Sequence, residues 1–138
     1  EIPLLETHYD IVLHACGKAH VIPKTDEEKQ AFYDVNYQGT INLCSGLEKV
    51  GVPKSFVFIS TVAVYGCEFG ELVTEDHPLN GDTPYAKSKI MAEEYLIEWC
   101  NKHGVILSIL GVFLPIGPCV RKSPVCKILL PLASIRNI

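Results

Sequence analysis

Three short apolar runs are separated by two long helical patterns: Asp10-Ile11-Val12-Leu13-His14-Ala15-Cys16, Ser55-Phe56-Val57-Phe58-Ile59-Ser60 and Val105-Ile106-Leu107-Ser108-Ile109-Leu110. Each run is nearly continuous rather than alternating, as expected of strands covered on both faces. The first helical pattern opens at Thr25-Asp26-Glu27-Glu28, a capping box. It carries Phe32, Val35, Gly39, Leu43, Leu47 and Val50 on one stripe and stops near Gly51-Val52-Pro53. The second runs from about Tyr85 to Lys102, with Gly104 at its C′ position. Strands alternating with helices need right-handed crossovers, which give a parallel sheet, so the fold class is α/β.

The 138 residues suffice for one domain with a buried core, and 48% apolar with 20% charged residues is ordinary for a globular chain. No run reaches the roughly 18–20 apolar residues of a membrane span. The start lacks the basic-then-apolar pattern of a signal peptide, so a cytoplasmic protein is expected. The sole methionine is Met91, and the chain reads as processed, trimmed or partial. Cys16, Cys44, Cys67, Cys100, Cys119 and Cys126 form no C-x-x-C pair and read as free thiols of a reducing compartment. No third ligand has suitable spacing to join His14 and His20, so no metal site is expected. The charge is asymmetric: seven lysines face sixteen acids up to Glu98, whereas the last 40 residues hold Lys102, Arg121, Lys122, Lys127, Arg136 and no acid. That basic end meets an anionic ligand or is simply a basic tail. A polar, turn-rich stretch from Cys67 to Pro84 reads as a surface loop, and beyond Gly111 neither period holds.

The chemistry centres on Tyr85 and Lys89 in Thr83-Pro84-Tyr85-Ala86-Lys87-Ser88-Lys89. Four residues apart on a helix, they share one face. A phenol is a poor base near neutral pH, and a neighbouring ammonium favours the phenolate, which could then take a proton from a substrate hydroxyl. A Tyr-x-x-x-Lys pair alone is a weak signal. Its place at the start of a helix inside a strand-helix-strand unit strengthens it, because ligands meet parallel sheets at the carboxyl ends of the strands. Ser60 and Thr61 close the second run; facing the same crevice, they either hydrogen-bond a reacting oxygen or satisfy backbone groups. Asn36 lies on the apolar stripe, as a ligand contact or as a core amide bonded to a neighbouring strand end. The turn His14-Ala15-Cys16-Gly17-Lys18 either lets the backbone approach a cofactor closely or is an ordinary strand-end turn.

These motifs, in this order, resemble the extended short-chain dehydrogenase/reductases, specifically the NAD-dependent epimerase/dehydratase family that acts on nucleotide sugars, with UDP-glucose 4-epimerase as the nearest branch. The resemblance runs from about Tyr9 to Pro118 and takes in the His14-to-Gly17 turn, Val35-Asn36-Tyr37-Gln38-Gly39-Thr40, Phe58 to Gly66, the Tyr85/Lys89 pair and a late Gly117-Pro118. It implies a Rossmann-like parallel sheet, of which residues 1–118 form the C-terminal half of an NAD(P)-binding domain. Residues 119–138 are an unassigned tail or the start of a substrate-binding region. No G-x-G-x-x-G or G-x-x-G-x-x-G occurs, so the family's glycine-rich N-terminal unit is expected to be missing and the isolated chain to be inactive. Binding of NAD or NADP tighter than millimolar is not expected.

The resemblance further implies Tyr85 as catalytic base, Lys89 as its partner and ribose ligand, and Thr61 as binder of the substrate hydroxyl. Cofactor contacts are implied at His14, Ala15, Gly17, Lys18, Asn36, Ser60, Tyr85 and Lys89, with NAD the expected cofactor and NADP open. Val62 and Ala63 stand where sugar dehydratases carry acidic residues, which favours epimerisation over loss of water. Gly111 stands about where the family places an arginine. A nucleotide sugar is the implied substrate, with no nucleic-acid or membrane partner, and helices 25–50 and 85–103 are implied as a homodimer contact. Two alternatives remain: an NADP-dependent reductase of the same superfamily, and a non-catalytic interaction module.

Overall fold

The computed structural model describes residues 1–19, 21–67, 73–74 and 76–112. Three strands, β1 (Ile11–His14), β2 (Ser55–Thr61) and β3 (Ile106–Val112), form a parallel sheet in the order β1-β2-β3. His14, Phe58 and Ile109 lie in one row across it, and Ser60 pairs with Gly111 one row beyond Ile59 and Leu110.

The helical pattern expected over residues 25–50 is divided into α1 (Asp26–Phe32), a π-helical stretch (Tyr33–Gln38) and α2 (Gly39–Val50). Thr25 caps it, its hydroxyl accepting from the Glu28 amide at 3.2 Å. The Glu28 carboxylate accepts from the Lys24 amide at 2.6 Å, so the reciprocal half of the capping box reaches one residue further back than the usual arrangement. After β2, α3 (Pro84–His103) begins where the Thr83 hydroxyl accepts from the Ala86 amide at 3.1 Å. Pro84 occupies the first turn, where a missing N–H costs nothing. Gly104, with φ of 67°, ends α3 as the sequence indicated.

Both crossovers return on the same side of the sheet, so α2 and α3 share one face. Phe56, Phe58, Leu107 and Ile109 on the sheet pack there against Cys44 and Leu47 of α2 and Ala92, Leu96, Trp99 and Cys100 of α3. Trp99 stands edge-on to Phe56 at 6.2 Å, and its indole N–H donates to Glu48 at 2.8 Å, tying the two helices together. The other sheet face differs from the expectation of strands covered on both sides. Ile11, Leu13 and Ile106 are 68%, 65% and 62% exposed. They alternate with the buried row, and the helices of the described residues all pack on the far side.

Cys16, Cys44, Cys67 and Cys100 are free thiols. Among the described residues no helix is long and apolar enough to cross a membrane. His20, the late Gly117-Pro118 and the segment 119–138 lie outside the described residues.

Phe56 is fully buried at the centre of this core. Replacing Phe56 with Ala is expected to cost about 3–5 kcal/mol, read as a lower urea midpoint with an unchanged slope. A loss below about 1 kcal/mol would mean that the core is not centred on this ring.

Candidate active site

In a parallel sheet all carboxyl ends fall on one edge, and here that edge gathers the expected residues. β1 runs into Ala15, Cys16 and Gly17, which are exposed, then Lys18. β2 ends at Thr61 and turns at once into a 3₁₀ segment, Val62–Tyr65, capped by the Thr61 hydroxyl, which accepts from the Ala63 amide at 3.2 Å. The chain returns past Gly81, whose amide donates to the Val64 carbonyl at 2.9 Å. A Cβ there would lie 2.6 Å from both the Ala63 carbonyl oxygen and the Ala86 Cβ. Only glycine allows so close a passage, and it delivers the chain to Thr83 and the start of α3.

Lys89 is the most constrained of the group. It is 4% exposed, its Nζ donates to the Ile59 carbonyl at 3.0 Å, and it lies 4.5 Å from the centre of the Phe58 ring. Burial pulls its pKa down, and the charges of Glu93 and Cys16 oppose that shift. Gly17 packs directly against it: a Cβ at Gly17 would sit 3.1 Å from the Asn36 Oδ1 and 3.2 Å from the Lys89 Nζ.

Asn36 is 1% exposed and spends its whole carboxamide. Its Oδ1 accepts from the Lys18 amide at 2.6 Å, and its Nδ2 donates to the Lys18 carbonyl at 3.1 Å and to the Ser88 hydroxyl at 2.9 Å. Ser88 in turn donates to the Tyr85 carbonyl at 2.8 Å. One side chain thus joins the turn after β1 to the first turn of α3, where Tyr85 sits half-buried with its ring 6.2 Å from Phe32. The Lys18 ammonium lies over the same Phe32 ring at 5.7 Å. Asn36 thus forms the bonds to a strand-end turn that the sequence suggested for a core amide. The π-helical stretch that carries it is a device often found at functional sites.

His14 is buried, with its Nε2 3.0 Å from the Thr40 hydroxyl. That hydroxyl gives its only proton to the Asn36 carbonyl at 2.7 Å, so it must accept from His14, and the proton of the neutral ring is assigned to Nε2. Burial, and secondarily the Lys89 charge, push the His14 pKa down to about 4.

Ser60 and Thr61 do not share a crevice as expected. Successive strand residues point to opposite faces. Ser60 is turned toward α3, its hydroxyl donating to the buried Glu93 carboxylate, while Thr61 is engaged by the 3₁₀ turn. Glu93, Ser88 and Thr40 were not among the sequence candidates. Each had a legible signal, since Glu93 follows Lys89 by four residues, Thr40 follows Asn36 by four, and Ser88 lies inside the Tyr85–Lys89 motif.

The arrangement fits a nicotinamide nucleotide. Lys89 spends one of its three N–H groups on the Ile59 carbonyl, beside the exposed residues Ala15 to Gly17. The fold and site define a Rossmann-like α/β unit with a Tyr–Lys pair at its carboxyl edge. Residues 2–136 match the NAD dependent epimerase/dehydratase family, and the chain belongs to that family. It is 49% identical over 71 residues to N-acetyl-alpha-D-glucosaminyl-diphospho-ditrans,octacis-undecaprenol 4-epimerase of Escherichia coli O157:H7, covering 51% of this chain and 21% of that protein. It is 36% identical over 96 residues to UDP-glucose 4-epimerase of Bacillus subtilis, covering 66% and 26%. Among solved structures, RMD from Pseudomonas aeruginosa complexed with NADPH matches with a TM-score of 0.68 at 28% identity, over 75% of this chain and 35% of that one. The chain therefore spans about a fifth to a third of the length of these relatives.

The His14 environment gives a pH signature. Its folded pKa, about 4, lies below the ordinary 6.5, so the unfolded chain takes up the proton first as pH falls. The stability tied to neutral His14 is complete above about pH 6.5 and is lost progressively toward pH 4. Between pH 7 and 4.5 the wild type is expected to lose up to about 3 kcal/mol more than His14→Gln in urea denaturation. Parallel curves for the two proteins would mean that His14 is not held neutral.

Proposed function

We propose that this chain carries the proton-transfer centre of an NAD-dependent nucleotide-sugar epimerase. The observation behind the reading is the Lys89 ammonium, sealed against the end of β2 and one helical turn from Tyr85 at the edge where parallel sheets receive ligands. Tyr85, in the role of base, takes the proton of a sugar hydroxyl while the C–H bond at the same carbon breaks and a carbonyl forms. A bound oxidised nicotinamide supplies the hydride acceptor and later the hydride donor. Tyr85 then returns its proton to the same oxygen once the carbonyl has been reduced on its other face, inverting that carbon. Lys89 holds the ribose, and Thr61 is the hydroxyl offered to the reacting oxygen. Ser60, committed to Glu93, supports the site from behind. Residues 1–118 act as the cofactor-binding part.

Val62 and Ala63, in the 3₁₀ turn, provide no acid to expel water, which favours epimerisation over dehydration. The similarity to two 4-epimerases supports the same choice. An NADP-dependent reductase is the second reading, favoured by the likeness to a protein solved with NADPH. Net consumption of the reduced nucleotide for each product formed would select it, since an epimerase returns what it takes. Self-association through helices 25–50 and 85–103 is supported by the exposed apolar side chains of Val35 and Met91 on those helices.

Tyr85→Phe removes the phenolic proton carrier and little volume. In the longest polypeptide that carries this segment, kcat is expected to fall by about 10²–10⁴-fold while the fold is kept. Retention of activity within about tenfold would remove Tyr85 from the mechanism.

A further inference from the structure

We propose that Glu93 is the counter-charge of Lys89, a positioning residue that fixes the lysine head group at the carboxyl end of β2; this deepens, and rests on, the reading of Tyr85 and Lys89 given above. The two residues are one helical turn apart on the buried side of α3, and are 3% and 4% exposed. A carboxylate and an ammonium so far from water are tolerated only when paired and hydrogen-bonded. β2 does this with three consecutive residues: the Phe58 ring faces the ammonium, the Ile59 carbonyl accepts from it, and the Ser60 hydroxyl donates to the Glu93 carboxylate. Adjacent residues of one strand end therefore receive the cation, at the Ile59 carbonyl, and the anion, at the Ser60 hydroxyl.

The other titratable groups around Lys89 do not replace Glu93. From β1 and its turn come His14, held neutral, the thiol Cys16, and Lys18, whose ammonium is engaged over Phe32. β2 presents only the hydroxyls of Ser60 and Thr61, and α3 adds Tyr85. Glu93 is the carboxylate whose charge opposes the effect of burial on Lys89. Its function is to keep the head group cationic in a place where burial alone would favour the neutral amine.

The test follows Lys89 directly, by ¹³C NMR of its Cε and of the Glu93 Cδ in this chain. In the wild type, ionisation of Glu93 is expected to appear at the Lys89 Cε; silence there overturns the pairing without any variant being needed. Glu93→Gln is expected to lower the pH at which Lys89 loses its proton by about one unit or more, with Glu93→Asp restoring most of it. An unmoved Lys89 titration overturns the proposal. In the longest polypeptide carrying the segment, Glu93→Gln is expected to reduce kcat about tenfold with KM within about twofold, and to shift the alkaline limb of the pH profile downward in step with Lys89. A loss of activity with an unmoved pH profile would mark Glu93 as merely structural. If the coupling is seen and Tyr85→Phe remains active, the pairing stands and the catalytic reading falls; if the coupling is absent, the pairing falls whatever Tyr85→Phe does.

Discussion

An ammonium group withdrawn from water must be solvated by the protein, and the position of Lys89 imposes this requirement on everything around it. Its proton donors need an acceptor, its charge needs a polarisable or negative neighbour, and its four-carbon stem needs an apolar sheath. The end of β2 answers the first two through the Ile59 carbonyl and the Phe58 ring. The glycine at position 17 follows from the same demand, because any side chain there would press on the Lys89 head group and on Asn36. Asn36, once placed, secures Lys18 and Ser88, and through Ser88 the backbone at Tyr85. A candidate catalytic pair at the start of a helix is in this way tied to two strand ends by hydrogen bonds that leave the Asn36 amide fully satisfied.

The coarse fold was readable because its signals are periodic and local. The three apolar runs are the three strands, to within one or two residues at each end, and Thr25, Thr83, Pro84 and Gly104 mark helix ends by well-understood backbone chemistry. The π-helical stretch was not readable, since nothing in Tyr33-Asp34-Val35-Asn36-Tyr37-Gln38 distinguishes five-residue from four-residue bonding. The faces of the sheet were misjudged for a related reason. A continuous apolar run shows that both sides are hydrophobic and leaves open which side is covered; Ile11 and Leu13 are hydrophobic and exposed.

At the site, the sequence left part of the hydrogen-bond wiring between the candidate residues unread. Ser60 and Thr61 are adjacent in the chain, yet strand alternation commits one to α3 and the other to the turn beyond β2. Glu93 was not singled out, although a carboxylate close to the buried Ala92 and Leu96 is an anomaly that asks for a buried partner. Asn36 stood out for the same kind of reason, as an amide on an apolar stripe, and its partners proved to be backbone and hydroxyl groups of the protein itself. Buried polar residues were therefore the most informative positions in the sequence, more so than the Tyr-x-x-x-Lys spacing.

The contact between Gly81 and Val64 carries a consequence for how such a unit can diversify. It closes the intervening segment at its neck, so that Thr61 on one side and Thr83 on the other are held in place independently of what lies between. Because the entropic penalty for a longer excursion grows only with the logarithm of its length, insertions or wholesale exchange of that segment should leave the end of β2 and the start of α3 undisturbed. The geometry separates variation from support: sequence can be exchanged on one side of a backbone clasp while the strand end and helix start on the other side are inherited intact.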